Sequence, residues 1–242
     1  MAPNVIIVIP AYNEAATIGD VIERCLKAGG EVIIVDDGSA DGTAAIARRY
    51  RAELLRNEIN SGKAASLMKG MRRAVERDAD IIATMDGDGQ HRPEDLALLM
   101  ACAKDNPGAI VIGSRLADRE AFPRARYIGN RIADFWISWA CGYRVEDSQS
   151  GFRLYPADLI DRINVPHGPE RGFVFESEIL IKASRAGVRS VSTPIPAPYE
   201  GTLVRASHFQ PLRDVLRIIR MVAWKLISRG FYLQGLWRVV RG

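Results

Sequence analysis

The sequence predicts an α/β fold, in which a single doubly wound, mostly parallel sheet is flanked by helices and followed by an amphipathic helical tail. Two patterns lead to this prediction. Short, continuous apolar runs are typical of strands buried on both faces of a parallel sheet. They alternate with amphipathic segments of helical period, and such alternation gives right-handed crossovers. We expect a domain at residues 1–209 and a basic helical tail at residues 210–242.

Apolar runs predict the positions of the strands and helices, and capping or helix-ending residues predict where the helices begin and end. A pair of glycines ends the first helix, Asp41 can cap the second, and Pro93 suits a first helical turn. Arg119–Arg131 is predicted to be a basic loop, and the segment from Asp147 to Arg153 is polar and interrupted by glycine. The predicted strands are Val5–Ile9, Val32–Val35, Glu53–Arg56, Ile81–Met85, a run from Ile110 to Gly113, and Val188–Val191. Three further helices are predicted: one begins near Lys63, one spans Ile132–Ala140 and one begins at Phe173.

Composition limits the class of protein. The chain has 242 residues, of which 48% are hydrophobic and 26% charged, as in soluble globular proteins. Its three cysteines are odd in number and far apart, which indicates reduced thiols rather than a disulfide framework or a zinc site. No stretch offers the ~20 apolar residues of a spanning helix, and no signal peptide is expected. We therefore expect a cytoplasmic protein.

Positive charge is concentrated at the end of the chain. Residues 200–242 contain eight Lys and Arg and two acids, whereas the whole chain carries a net charge of +4. A helix there either packs on the domain or lies on an anionic inner leaflet, where each basic residue adds about 1 kcal/mol. We favour peripheral attachment to the membrane. No recognition motif accompanies the charge, so nucleic acid is not an expected partner. The predicted apolar face consists of Leu212, Val215, Leu216, Ile219, Val222, Ala223 and Leu226.

Two carboxylates follow the predicted strand Ile81–Met85. Asp86 and Asp88 are spaced i, i+2, and the glycine after each lets the backbone approach the point that both carboxylates can reach. Two oxygen ligands without a protein cage suit Mg²⁺ or Mn²⁺, which takes further ligands from water and a substrate diphosphate. The alternative is a polar turn, because Asp and Gly are ordinary turn residues.

Spacing excludes other metal and phosphate motifs. An EF-hand loop starting at the first carboxylate requires Gly and Glu where the chain has His91 and Ala97. A P-loop ending at Lys63 requires a hydroxyl residue and an earlier Gly where Ala64 and Asn57 stand.

Polar residues follow several of the predicted strands. In a parallel sheet, ligands bind outside the carboxyl ends of the strands, so these residues are expected to converge on one crevice. A random scatter of turn residues would not favour one edge. The residues are Tyr12, Glu14, Asp36, Asp37, Asp86, Asp88 and Arg115.

Seven motifs occur in one order over roughly residues 4–209. One such motif is weak, but seven in order are specific. They are PAYNE (Pro10–Glu14), DDGS (Asp36–Ser39), SGKA with Lys63, DGDGQH (Asp86–His91), GSR (Gly113–Arg115), DSQSGFRLY (Asp147–Tyr155) and FESE (Phe175–Glu178). Together they resemble the motifs of family-2 glycosyltransferases of the GT-A type, and most closely those of polyprenol- (dolichol-) phosphate mannose or glucose synthases.

The resemblance implies a site for a UDP- or GDP-sugar. Asp37 would contact the donor, Lys63 would bind substrate, and Arg115 would lie near the diphosphate or sugar. The remaining implied residues are Pro10, Tyr12 and Glu14 for the base and ribose, and Asp86, Asp88 and Gln90 for the metal.

The resemblance also implies an anionic acceptor such as a polyprenyl phosphate. Arg124, Arg126, Arg131 and Arg153 are similar in place to residues that receive it, and Arg205 lies in the segment that resembles the family's active-site cover. The chain departs from the pattern in two ways. His208 stands where mannose-synthase relatives often carry lysine, and the C-terminal membrane-spanning helices of many relatives are missing.

The implied reaction is an inverting, metal-dependent sugar transfer in which Asp147, Arg115 and Arg153 are the catalytic candidates. A phosphate acceptor is already an anion and needs no strong base. A hydroxyl acceptor, soluble or lipid, needs a carboxylate to take its proton. Asp147 is the first candidate for that base, and Glu176 or Glu178 is the second. A further alternative is a sugar-nucleotide-binding protein without turnover.

Overall fold

The computed structural model describes residues 3–116, 124–167, 174–196, 211–227 and 230–241, and strands and helices alternate through these ranges. The strands are β1 (Val5–Ala11), β2 (Glu31–Asp36), β3 (Glu53–Arg56), β4 (Ile81–Thr84), β5 (Ile110–Ser114), β6 (Arg153–Pro156) and β7 (Ser190–Pro194). The α-helices are α1 (Ile18–Lys27), α2 (Thr43–Ala47), α3 (Lys63–Glu76), α4 (Leu96–Asp105), α5 (Arg124–Cys141), α6 (Asp158–Arg162), α7 (Val174–Arg185), α8 (Pro211–Ile227) and α9 (Leu233–Arg241).

The described strands form one seven-stranded sheet in the order β3-β2-β1-β4-β6-β5-β7. β1 is parallel to β2 and β4, with Ile6 opposite Glu31 and Val5 opposite Ile81. β5 and β7 are also parallel, whereas β6 is antiparallel to both of its neighbours. The predicted mostly parallel α/β sheet is therefore confirmed.

Both faces of the sheet are covered by helices. Successive side chains of a strand point to opposite faces. Ile6 and Val8 accordingly pack with α3, α5 and α7, while Ile7 and Ile9 pack with α1 and α4. This double burial explains why the strands appear in the sequence as continuous apolar runs rather than alternating ones.

Strand β6 is the main feature that the sequence analysis missed. Arg153 and Tyr155 share one face of this four-residue strand, and β6 lies between β4 and β5 because Thr84 and Ile112 both pair with Arg153. These partners lie far away in the chain, so no local pattern identifies the strand or its antiparallel direction.

Helix α5 corrects a second prediction. It begins at Arg124, whereas the sequence analysis expected a basic loop through Arg131. The first two turns show little inward apolar periodicity because Arg124, Ile128 and Arg131 are exposed. Arg is a good helix former, so these charged turns can form a helix although they lack an apolar stripe.

Helix α8 packs on the domain with a face that includes Val222 and Leu226 of the predicted one but is shifted towards Ile218. Ile218, Val222 and Leu226 are buried in the core beneath α5 and α7, whereas Leu216, expected on the inward stripe, is exposed. Lys225 forms a 2.6 Å ion pair with Glu178 of α7. No helix in the described ranges is long and apolar enough to cross a membrane.

Candidate active site

The loops that leave the sheet at its carboxyl edge are joined by hydrogen bonds. The Asp37 N–H, after β2, donates to the Ala11 carbonyl at the end of β1 over 2.8 Å. The Thr17 hydroxyl donates to the Gly87 carbonyl over 2.7 Å, so the start of α1 holds the loop of the two carboxylates. The exits of β1, β2 and β4 thus form one surface, as ligand binding at this edge requires.

Four charged side chains at this edge, Lys63, Asp86, Asp88 and Glu176, form what we call the carboxylate cluster. The Lys63 Nζ lies 2.6 Å from Asp86 Oδ1 and 2.9 Å from Glu176 Oε1. The side chains of Lys63 and Asp86 are 26% and 27% exposed, whereas that of Glu176 is 5% exposed. Solvent and ligands therefore reach the cluster from the side of Asp86.

The two aspartates of the cluster differ in acidity. Burial alone would raise the pKa of Asp86, but the charges of Lys63 and His91 outweigh it and lower the pKa to about 2. The pKa of Asp88 is raised, first by burial and then by the charge of Asp86. Burial opposes the charged form of Lys63 as well, yet Asp86 and Glu176 raise its pKa. A cation between the two aspartates would relieve their repulsion.

The surroundings of the aspartate pair fit a divalent cation. A Cβ at Gly151 would lie 2.8 Å from Asp86 Oδ2, so a larger residue there would force this carboxylate to shift. The Gln90 N–H donates to Asp88 Oδ1 over 2.9 Å and orients that carboxylate. No group of three or more His, Cys, Asp or Glu within the described ranges forms a metal cage. Two partly exposed carboxylates suit an ion that takes its further ligands from substrate and water.

Asp37 holds a loop. Its Oδ1 accepts from Asn57 Nδ2 at 2.8 Å and from the Ser61 N–H at 2.9 Å, and its Oδ2 accepts from the Gly62 N–H at 2.8 Å. These bonds fix the start of α3 and thereby the position of Lys63. Contact with a donor, as expected from the sequence, would add to this role.

The other predicted donor residues lie at the exit of β1. Pro10 is buried beside Val35 of β2. Tyr12 is exposed, and the Glu14 N–H donates to Thr43 Oγ1 over 2.8 Å. The structure thus leaves the Tyr12 ring available to a ligand, while Pro10 shapes the backbone behind it.

Asp147 is tied to Arg115 through the backbone. Its Oδ2 accepts the Arg115 N–H over 2.9 Å, and it is 1% exposed. Its backbone lies in the left-handed region with φ of 53°, which is uncommon for a residue other than glycine. Asp147 therefore connects the DSQSG segment to the exit of β5.

A second group of buried polar and charged side chains holds this segment from inside, and we call Asp134, Ser148 and Arg153 the loop framework. Asp134 Oδ1 accepts from the Ser148 N–H at 2.8 Å and the Ser148 hydroxyl at 2.6 Å. Asp134 Oδ2 accepts the Asp147 N–H at 3.1 Å. Asp134 is not among the predicted site residues. A lone carboxylate inside an apolar helix nevertheless indicates a buried polar contact, because such a group must find partners.

Arg153 lies in a different environment from the one that the expected contact with an acceptor requires. It is 0% exposed and donates to the carbonyls of Ser148 (2.6 Å), Ser150 (2.8 Å) and Glu176 (2.7 Å). An acceptor could reach the guanidinium only after these bonds break. The placement favours a positioning role, because Arg153 ties the DSQSG segment to the beginning of α7.

A small cavity lies beyond β5 and is lined in part by Arg131, one of the residues that the resemblance implies for the acceptor. We call it the β5 cavity. Its volume is about 180 Å³, and its lining includes Arg131 and Glu146, the latter 3.4 Å from Arg144. Arg205 and the side chain of Arg126 lie outside the described part of the chain. The lining residues are Ser114, Leu116, Tyr127, Arg131, Glu146, Ser192 and Pro194.

Comparison with known proteins identifies the family. The profile of glycosyl transferase family 2 matches residues 6–176. An undecaprenyl-phosphate mannosyltransferase of Micrococcus luteus is 30% identical over 79% of this chain and 82% of its own. A UDP-N-acetylglucosamine–dolichyl-phosphate N-acetylglucosaminyltransferase of Methanococcus voltae is 30% identical over 80% and 85%.

A solved structure shares the fold. Glucosyl-3-phosphoglycerate synthase from Mycobacterium tuberculosis, crystallised with Mn²⁺, UDP and glucosyl-3-phosphoglycerate, superposes with a TM-score of 0.64 at 23% identity. The match covers 94% of this chain and 80% of that one. The chain is therefore a glycosyltransferase with the GT-A fold and belongs to glycosyl transferase family 2.

Proposed function

We propose that this glycosyltransferase moves a sugar from a UDP- or GDP-sugar to a polyprenyl phosphate, with Mg²⁺ or Mn²⁺ at the Asp86–Asp88 pair. The observation that carries the proposal is this accessible carboxylate pair at the carboxyl edge, beside Lys63. Relatives named for undecaprenyl- and dolichyl-phosphate transfer support the acceptor class. The fold neighbour that holds Mn²⁺ and UDP supports the metal and the nucleotide.

The residues at the carboxyl edge of the sheet have different roles in binding the donor. A divalent cation supplies positive charge for the nucleoside diphosphate that leaves. Asp86 and Asp88 would hold it, and the Gln90 N–H keeps Asp88 oriented. Lys63, already 2.6 Å from Asp86, offers an ammonium to a diphosphate oxygen. The exposed ring of Tyr12 offers a surface to the base.

The acceptor chemistry follows from charge. The phosphate oxygen bonds to the anomeric carbon as the bond to the diphosphate breaks, which inverts that carbon. Because the oxygen is already an anion, orientation by Arg115 and Arg131 suffices. Asp147 is buried and holds the Arg115 N–H. This position suits a general base poorly, because a base must reach the acceptor proton, and so it supports the phosphate acceptor over a hydroxyl.

The C-terminal helices support attachment to the inner face of the membrane. One face of α8 is in the core, yet α8, α9 and the turn between them expose large apolar and basic side chains together. Such a mixture suits an anionic lipid surface. The exposed side chains are Leu216, Arg217, Arg220, Trp224, Ile227, Phe231, Leu233, Trp237, Arg238, Val240 and Arg241.

The test is a calorimetric titration with UDP and GDP, with and without Mn²⁺, followed by transfer of labelled sugar to a polyprenyl phosphate. We expect one nucleotide to bind in a metal-dependent way, and Asp88→Asn to weaken that binding about 100-fold, since a metal contact supplies several kcal/mol. Asp20→Asn, at an exposed carboxylate of α1, is the matched control.

Two results would count against the proposal. If nucleotide binding depends neither on Mn²⁺ nor on Asp88, the assignment of the metal site to this carboxylate pair is wrong. Metal-dependent binding without transfer to any polyprenyl phosphate would reject the acceptor class, and binding without turnover on any acceptor would favour a binding protein.

A further inference from the structure

The Lys63 ammonium bridges two carboxylates that differ in their accessibility. Its Nζ lies 2.6 Å from Asp86 Oδ1 and 2.9 Å from Glu176 Oε1. The Asp86 side chain is 27% exposed, whereas that of Glu176 is 5% exposed. Lysine carries its charge as a compact ammonium on a flexible stem, so it can move between partners. Of the two carboxylates, Asp86 is therefore the one that can exchange the ammonium for a ligand from solvent.

The ammonium occupies an oxygen that a cation at the Asp86–Asp88 pair would use. Lys63 contacts Asp86 Oδ1, and the other oxygen, Oδ2, lies close to Gly151, where an added Cβ would be 2.8 Å away. Neighbouring positive charges repel each other, most strongly where burial limits screening by solvent. Lys63 therefore competes with a divalent cation for Asp86, and it must give up this contact when the carboxylate binds one.

The Glu176 carboxylate, by contrast, is held in place at the beginning of α7. The Glu176 carbonyl accepts from Arg153 Nη1 over 2.7 Å, and the hydroxyl of the next residue, Ser177, accepts from Gln149 Nε2 over 3.1 Å. Glu176 Oε2 is buried and has no hydrogen-bond partner among the residues that the structure describes. The ion pair with Lys63 thus compensates a carboxylate whose charge is costly to leave unpaired, so this carboxylate holds the ammonium firmly.

We propose that Glu176 is a positioning residue, which retains Lys63 at the carboxyl edge when Asp86 exchanges the ammonium for a divalent cation. This inference rests on the proposed function and specifies how the donor site prepares for its ligand. The retained ammonium lies beside the cation, where the diphosphate of the donor can contact both charges. Before the nucleotide binds, Lys63 opposes the cation at Asp86. Glu176 limits this opposition, because it offers the displaced ammonium a second partner.

The test measures the Mn²⁺ affinity of the nucleotide-free, full-length protein by electron paramagnetic resonance. We expect Glu176→Gln to weaken Mn²⁺ binding about tenfold, since the displaced ammonium has lost its charged partner. Glu176→Asp, which keeps the charge but draws it back from the ammonium, should give a smaller loss. In a Lys63→Met background, where Mn²⁺ binds more tightly, Glu176→Gln should have no effect, because Glu176 acts through the ammonium. Glu76→Gln, at an exposed carboxylate at the other end of α3, is the matched control.

The other outcomes decide against the inference or against the function on which it rests. If Glu176→Gln weakens Mn²⁺ binding equally in both backgrounds, Glu176 acts on the cation directly, and the inference is wrong while the proposed function stands. No effect of Glu176→Gln in the wild-type background, or an unchanged Mn²⁺ affinity in Lys63→Met, would also overturn it. If nucleotide binding by the wild type does not depend on metal, the proposed metal site fails, and the inference fails with it.

Thermal unfolding of each variant shows whether its fold is intact. Should Glu176→Gln not fold, Glu176→Asp is compared in the same two backgrounds, and its smaller loss of Mn²⁺ affinity must disappear when Lys63 is replaced.

Discussion

The carboxylate cluster and the loop framework both contain charged side chains from the motifs, but the groups that pair with these charges differ between the two. In the carboxylate cluster, Asp86 is paired with the side chain of Lys63 and is 27% exposed. In the loop framework, Arg153 is fully buried and donates mainly to backbone carbonyls. A side chain at an accessible edge can exchange its side-chain partner for a ligand. A set of buried backbone partners cannot be given up without loss of structure.

A motif residue whose partners can be exchanged is available to a substrate, whereas one that is held by buried backbone groups is not. Arg153 and Asp86 are equally plausible site residues from the motifs alone. Burial and the type of partner distinguish the two residues.

The largest effect is expected for Arg153→Met. The change removes the three hydrogen bonds that the buried guanidinium donates to the carbonyls of Ser148, Ser150 and Glu176, and each bond to a charged group is worth about 1.5–3 kcal/mol. We expect the free energy of unfolding to fall by about 4 kcal/mol or more, measured by denaturant unfolding. Arg162→Met, which removes a more exposed ion pair with Asp158, should cost less than about 1 kcal/mol.

The distinction between the loop framework and the carboxylate cluster would be wrong if Arg153→Met kept wild-type stability and lost only its affinity for the acceptor. The direct contact expected from the sequence would then hold, and the loop framework would belong to the binding site.

An intermediate effect is expected from the titration of Asp134. Burial raises its pKa to about 6, against the hydrogen bonds from Ser148, which lower it. The folded protein therefore keeps a proton between about pH 4 and 6 that the unfolded chain has released. The stabilising contribution is complete below about pH 4 and is lost as pH rises through 6. The total is at most about 3 kcal/mol.

The free energy of unfolding of the wild type and Asp134→Asn, compared between about pH 4 and 7, measures this contribution. The variant should lack the part of the decrease that belongs to Asp134. If both proteins show the same dependence on pH, another group titrates in this range and the assignment to Asp134 is wrong.

The smallest effect is expected for Lys63→Met, because its partner Asp86 is partly exposed to solvent. Loss of the ammonium should weaken binding of the nucleoside diphosphate about tenfold, which is the scale of one charge-assisted hydrogen bond. Binding of Mn²⁺ alone should strengthen, since the charge of Asp86 is no longer compensated. Lys69→Met, on an exposed part of the same helix, should change neither affinity. A loss of stability as large as that of Arg153→Met would place Lys63 in the framework instead.

Several features of the molecule follow from the sequence alone because they depend on local pattern. Continuous apolar runs such as Val5–Ile9 predict buried parallel strands, and parallel strands bring their exits to one edge. The spacing of Asp86 and Asp88 predicts two carboxylates near one point, and the structure brings them close enough for Asp86 to raise the pKa of Asp88. Their role as metal ligands stays a prediction, as do the roles of the other site residues.

Other features were decided only by tertiary structure, because they depend on partners far away in the chain. Strand β6 exists through its pairing with β4 and β5. Arg153 is a positioning candidate because folding buries it against carbonyls up to 23 residues away. Helix α8 turns Ile218 inward because the surface beneath α5 and α7 must be covered. A sequence pattern shows which side chains share a face of an element, but only the packing of the whole chain decides what that face meets.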